Sequence, residues 1–472
     1  MSSSFPLVRR YEASIRLSLE GDARITQALL AFLLFSGLSF LRNAYAFSYP
    51  ILFGEDGYWI GRIMVDGFWH TLIHARPDYG VAALVALNGI SLLITRALFL
   101  SDISALPQVI SIVASFVFGF VAVLPLLTLR GLLHPIACWL IGFAIVFIPV
   151  GNDSYEIFGR ILNLGFYMPV IAQFVLIALL YRKIPIWFEV LLQLAMIGLM
   201  WSFPVVIGQY LIYIAFDALQ RHAKGASYGR RTLTHVLVLI LGTTGFNPLA
   251  LIGSGGVLLP FKFSSFIEFA IARSAIFPFV APIYHELSDI VTITIFGLIL
   301  VSVGFFLRRS GQIGISLLDY RVFLFLNFGV MWAATLVMRR GLTSFLDNYS
   351  TSFPDRYFTG VNIMFLVACM ALALGHPLAA YRRFAGLGFG TLIIYWLVSV
   401  PIFQRTMTDM EQRDFGTFRD TICDRAAGRS VVLPSSSPDF VVLPSYPSAP
   451  GYSWKVSVER QIFDQTVRAQ CR

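Results

Sequence analysis

The chain has 472 residues, 57% hydrophobic and 13% charged, with a formal net charge of +9. A soluble domain carries roughly 25% charged residues, so this balance excludes an ordinary soluble protein. The positive excess, which in a soluble chain would suggest nucleic acid, sits in short segments between apolar runs; it reads as a topology signal, and no nucleic-acid partner is expected.

Runs such as "QALLAFLLFSGLSFL", "ISIVASFVFGFVAVLPLLTL" and "VFLFLNFGVMWAATLVM" are about as long as a hydrocarbon core of ~30 Å requires. The first resembles a signal peptide but lacks a small-residue cleavage site and follows a charged segment, so it is read as a retained span. Basic clusters at Arg9, Arg10 and Arg16, at Arg130, at Arg182 and Lys183, at Arg221 through Arg231, at Arg308 and Arg309, and at Arg382 and Arg383 are assigned to the cytoplasm. Crossings counted between them fall near 25–46, 106–128, 133–150, 165–181, 187–202, 203–219, 232–253, 289–307, 320–338, 359–380 and 386–403. The expected fold is therefore an all-α polytopic membrane protein with about eleven transmembrane helices, N-terminus inside and C-terminus outside.

After the first span comes "SYPILFGEDGYW", residues 48–59, with Glu55 and Asp56 side by side between Gly54 and Gly57. A carboxylate pair in a turn at the water interface suits a general base; an acidic turn marking the outer side is the plainer alternative. In the same outer loop, His70 and His74 share a face at helical spacing, with Asp78 beyond them, the one metal-like feature of the sequence. No cofactor is expected, though a divalent metal is a minor alternative. The stretch 80–100 must make no net crossing if later loops are to keep their sides, so a re-entrant or interface-lying helix is expected there. Pro204 in "MWSFPVVIGQY" divides a long apolar region into two short spans meeting on the outer side.

Outer loops collect the polar residues: Asp153 and Glu156 in "GNDSYEIFGRILN", Arg273 in a juxtamembrane helix within 260–289, and Arg339, Arg340, Arg356 and Tyr357 in 339–360. Arg339 and Arg340 lie outside against the positive-inside rule, and a phosphate-facing cation patch accounts for them. From about residue 405 the chain turns Ser- and Pro-rich, which divides it into a membrane domain, 1–404, and an external tail, 405–472. Cys423 and Cys471 bracket that tail and can close it as a disulfide in an oxidising compartment. Cys138 and Cys369 lie within spans. The sequence shows no internal repeat, zinc-type spacing, Walker motif or GxSxG.

The acidic pair after span one, the outer "NDSYE" loop, the juxtamembrane helix with Arg273, and "DRYF" before a late span together resemble the polytopic GT-C glycosyltransferases. The bacterial membrane glucosyltransferases that decorate O-antigen are the nearest look-alikes. The resemblance covers the layout of nearly the whole chain on short motifs, "GED" and "RYF" being the more specific. It implies an inner-membrane enzyme taking a sugar from a polyprenyl-phosphate donor to a hydroxyl of a glycan or lipid-linked acceptor on the periplasmic face, with inversion. Asp56 is then the expected base, with Glu55 as orienting partner or substitute. Arg356 and Arg273, with Arg339 and Arg340, would hold the lipid phosphate. Tyr357 would stack on sugar or lipid, and Asp153, Glu156, His70 and His74 would contact substrate. The order Glu-Asp departs from the family pattern and leaves the choice of base open. A transporter or flippase of a lipid-linked sugar, an O-antigen ligase or polymerase, and a non-enzymatic scaffold are the competing readings.

Overall fold

The computed structural model describes residues 25–471 apart from 77–80, 100–101, 152–156, 224, 226–228, 248–260, 312–317, 347–348, 350–355, 400–415, 431–432, 434, 436 and 450–451. Six described helices are long and apolar enough to cross a membrane: Ile25–Arg42 (α1), Ile103–Thr128, Leu162–Tyr181, Phe263–Glu286, Tyr320–Met338 and Arg356–Leu374; five further apolar helices are shorter. This is the architecture of an α-helical membrane protein. The segment Phe263–Glu286, expected along the interface, is among the six by length and composition; it runs through a π-helix over Glu268–Ile276 and short turns that kink at Ile283 (φ −117°, ψ 16°).

The elements that position the site begin with Gly54–Asp66 (α2) and Phe68–Ile73 (α3). They continue with Ala82–Leu98 (α4), Leu106–Thr128 (α5), Pro135–Phe147 (α6), Met168–Tyr181 (α7), Ile186–Ser202 (α8), Val205–Ala223 (α9) and Gly229–Thr243 (α10). Asp289–Gly311 (α11), Tyr320–Met338 (α12), Arg356–Leu374 (α13) and Ala379–Ser399 (α14) complete the bundle. Prolines set several boundaries. Pro107 and Pro135 stand in first turns, where a missing N–H costs nothing. Phe203, ahead of Pro204, is extended (φ −154°, ψ 110°) and separates α8 from α9. α7 and α13 bury nearly every side chain and form the middle of the bundle; Val190 and Leu194 on α8 and Ile290 on α11 stay exposed, as lipid-facing positions do.

Polar buried groups tie the segments together. Arg42, at the end of α1, donates to the carbonyls of Val146 and Ile148, and Asn43 donates to Phe158 O. These bonds satisfy carbonyls left open where α6 ends, and they hold the chain entering α2 against the core.

The tail is more than a polar extension, and it departs from the all-α expectation. Phe418–Ala426 (α15), begun by a capping box between Thr417 and Asp420, leads to an antiparallel hairpin, Phe440–Ala449 (β1) and Tyr452–Glu459 (β2), then Arg460–Gln470 (α16). Val441, Leu443, Val456 and Val458 alternate inward and are buried. The hairpin lies directly on α2: a Cβ on Gly61 would stand 2.8 Å from Ser457 N, so only glycine permits this approach. Further ties are Phe418 N–H to Pro50 O (2.8 Å), Ile103 N–H to Thr466 Oγ1 (3.1 Å), Gln470 to Asp102 (2.7 Å) and the Arg96–Glu459 ion pair (2.7 Å). Cys423 and Cys471 are bonded as a disulfide, closing α15 onto α16.

Candidate functional site

The acidic pair occupies the first turn of a helix. Phe53 is extended, Gly54 takes φ +37°, and α2 starts with Glu55 and Asp56, where negative charge complements the helix N-terminus. Adjacent helical residues point about 100° apart. Here that rotation sends the two carboxylates into different environments.

Asp56 is fully buried. Its carboxylate accepts from Asn88 Nδ2 on α4 (3.4 Å) and from the Ile161 N–H (3.3 Å). Desolvation pushes its pKa up to about 7, against the Arg160 guanidinium and those two bonds, with the Glu55 charge adding to the rise. Arg160 also donates to Ile51 O (2.8 Å), so the carboxylate and guanidinium knit the start of α2 to the chain ahead of α7. Asp56 is not part of any cavity wall described below. The residue expected as the base therefore stands in the interior with protein partners, one residue away from the carboxylate that meets the cavity.

Glu55 faces a cavity of about 370 Å³ lined also by Arg76, Asn163, Phe166, Ser202, Arg339, Arg356, Tyr357 and Trp454. Partial burial raises its pKa; the charges of Arg76, Arg356 and Arg339 pull the other way. One carboxylate among three guanidinium groups leaves the cavity strongly cationic.

Each cation is delivered by a different element. Arg62 on α2 pairs with Asp66 (3.1 Å) and donates to the carbonyls of His74 (3.2 Å) and Ala75 (3.0 Å), which holds the following Arg76 beside its own helix. Arg339 caps the end of α12 and Arg356 opens α13, so two neighbouring helices present arginines at the same end. Both lie over the Tyr357 ring, at 4.5 and 5.1 Å from its centroid, and Phe166 meets that ring edge-on at 5.2 Å. Trp454 arrives from β2 of the tail and stands near Tyr58 of α2, ring centroids 6.4 Å apart. A narrow apolar groove, lined by Val205, Met331, Ala334 and Met338, shares Phe166, Phe203, Arg339 and Tyr357 with the cavity and runs from it between the start of α9 and α12.

Arg273, expected at the phosphate, does not line the cavity. It is buried within the π-helical segment, 3.5 Å from Glu268, and its guanidinium lies 4.6 Å from the Tyr284 ring centroid. Tyr284 OH donates to the same Glu268 (2.6 Å), and Asn362 of α13 donates to Arg273 O (2.7 Å). This cluster fastens the π segment to α13 and sets Arg273 apart from the arginines that line the cavity. Arg340, itself exposed, begins a 3₁₀ turn and is likewise not in the cavity wall. His70 and His74, both exposed, stack at 4.5 Å, and neither lines the cavity. Asp78, Asp153 and Glu156 lie outside the described residues. Among the described residues, no group of three or more His, Cys, Asp or Glu is placed to hold a metal ion.

The residues missed from sequence are Arg76, Asn163 and Ser202. Arg76 ends a conspicuous aromatic and histidine stretch in an outer loop, which is a signal; Asn163 and Ser202 carry none.

No protein-family model, curated protein or solved structure matches the chain.

Proposed function

We propose that the protein is a membrane glycosyltransferase that moves a sugar from a polyprenyl-phosphate donor to a hydroxyl of a polysaccharide or lipid-linked glycan. The reading takes the cavity to open on the periplasmic side of a bacterial inner membrane, with eleven crossings, the N-terminus inside and the tail outside. The observation that supports it most is the convergence of Glu55 with Arg76, Arg339 and Arg356 in one cavity.

The chemistry follows from those groups. The acceptor hydroxyl attacks the anomeric carbon while its proton passes to the Glu55 carboxylate, a base whose raised pKa improves its proton affinity. The C1–O bond to phosphate breaks on the opposite face, so the anomeric configuration inverts, and the lipid phosphate leaves carrying the negative charge. Preorganised guanidinium groups act where that charge grows, in the way electrostatic stabilisation contributes most. Trp454 offers a face for the acceptor's rings.

The test is transfer from a labelled polyprenyl-phosphate sugar in vesicles holding the purified protein. Transfer that disappears in Glu55→Gln, with the variant folded, supports the reading. Movement of the intact lipid-linked sugar between leaflets without transfer would show a flippase instead.

A further inference from the structure

Tyr357 shares its ring with two of the cavity's arginines. The Arg339 guanidinium, from the end of α12, lies 4.5 Å from the ring centroid, and that of Arg356, at the start of α13, lies 5.1 Å from it. Phe166 meets the same ring edge-on at 5.2 Å and stands 6.0 Å from the Arg339 guanidinium. Phe203, extended ahead of Pro204, braces Phe166 in turn at 5.9 Å. The backbone fixes this stack. Gly360 lies three residues beyond Tyr357, on the same face of α13, and a Cβ there would collide with the Phe166 carbonyl oxygen. Only glycine brings α13 this close to the turn Leu162–Tyr167.

The arrangement answers an electrostatic problem. Two guanidinium groups brought to one place repel, and each long side chain gains entropy by swinging into water. An aromatic face attracts both cations, and the Tyr357 ring is already held in place by Phe166. A guanidinium set over a ring uses no N–H in that contact, so its edge stays available to oxygen acceptors. The described contacts of the Arg339 side chain are the Tyr357 and Phe166 rings. Aromatic faces, rather than a described carboxylate, therefore set its position. The charges of both arginines act on Glu55, and all of these residues line the one cavity.

We infer that Tyr357 is a positioning residue: its ring presets Arg339 and Arg356 as a pair whose N–H edges receive a single phosphate. The inference rests on the reading of this cavity as the donor-phosphate site, and it gives Tyr357 a role other than stacking on sugar or lipid. Preset donors stabilise growing charge best because they need no rearrangement at the moment of reaction. Loss of the ring should thus act on the leaving phosphate, through two arginines that are themselves unchanged.

The experiment measures binding of polyprenyl phosphate, with the uncharged polyprenol of equal length as control, to the full-length protein in detergent, beside transfer kinetics in vesicles. Wild type is expected to retain the phosphate and not the alcohol. Tyr357→Phe keeps the ring and is expected to bind within about twofold of wild type; Tyr357→Leu is expected to weaken the phosphate about tenfold, with kcat falling more than the acceptor KM rises. In an Arg339→Gln background the same Leu substitution should add little, because the pair is already broken. Arg339→Lys, which keeps the charge without the planar group, is expected to weaken binding as Tyr357→Leu does and serves if Tyr357→Leu does not fold. Wild-type binding by Tyr357→Leu or Arg339→Lys, an equal loss in Tyr357→Phe, a full additive loss in the Arg339→Gln background, or no preference of wild type for the phosphate overturns the inference. Phosphate binding that follows the expected order without any sugar transfer would overturn the enzymatic reading and leave the role of Tyr357 standing.

Discussion

Glu55 and Trp454 stand on the wall of one cavity although they lie near opposite ends of the chain. The hairpin that carries Trp454 is seated on the helix that carries Glu55, through the close approach at Gly61 and the disulfide-closed pair α15 and α16. The tail is thereby part of the site.

The two acids are expected to behave differently. Glu55→Gln should lower transfer by about 10²- to 10⁴-fold, the range for a lost general base, with unchanged thermal unfolding. Asp56→Asn should keep the transfer rate near the parent's, since amide and protonated carboxyl make similar bonds to Ile161 N–H and Asn88. Single-turnover rates of both variants decide this; a dead Asp56→Asn beside an active Glu55→Gln makes Asp56 the base.

Arg356→Gln should cost about 10²- to 10³-fold in the transfer rate, as removal of one preorganised donor to a developing anion does. Arg273→Gln should act on stability instead, because it leaves Glu268 buried beside Tyr284 without its cation; breaking a buried pair costs on the order of 3–5 kcal/mol. Paired kinetics and unfolding curves separate the two arginines.

Stability should carry the imprint of Asp56. Its folded pKa, about 7, lies above the ordinary aspartate value of 3.8, so folding favours the protonated form. The contribution is fully present below the unfolded pKa and is lost as pH rises through the folded value. Wild type should therefore lose stability relative to Asp56→Asn between about pH 4 and 7, by a few kcal/mol at roughly 1.4 per pKa unit, and hold level above that. A flat difference in unfolding temperature between pH 4.5 and 8 would rule this out.

Trp454→Ala should raise the acceptor KM about tenfold while donor KM stays put, as expected for one lost aromatic contact of roughly 1–2 kcal/mol. Trp454→Phe should recover most of the loss. An equal change in both Michaelis constants would mean that the indole merely supports the cavity wall.

Reduction of Cys423–Cys471, which are 48 residues apart, should loosen the tail. The chain-entropy relation for such a loop gives about 4 kcal/mol. Limited proteolysis after Cys471→Ser should cut between α15 and β1 well before the membrane helices are touched.

The linear chain settled its helical membrane character, because apolar runs must bury their backbone polar groups in helices when water is absent. It also settled the break at Pro204, where the ring forbids the preceding residue a helical conformation. The pairing of two cysteines around a polar tail was legible for a similar local reason, as was the clustering of charge in the loops that hold Glu55, Arg339 and Arg356. Which of two neighbouring carboxylates meets the cavity was not legible: one residue of helical rotation exchanges a solvated acid for a buried one, and its sense depends on what packs against α2. The same holds for Arg273, whose amphipathic surroundings read as a surface helix until Glu268, Tyr284 and α13 enclose it. Arg76 and Trp454 reach Glu55 only because α2 grips the chain at His74 and Ala75 and carries the hairpin on its other side. Contacts between segments so far apart are fixed by packing in three dimensions, and local sequence pattern holds no record of them.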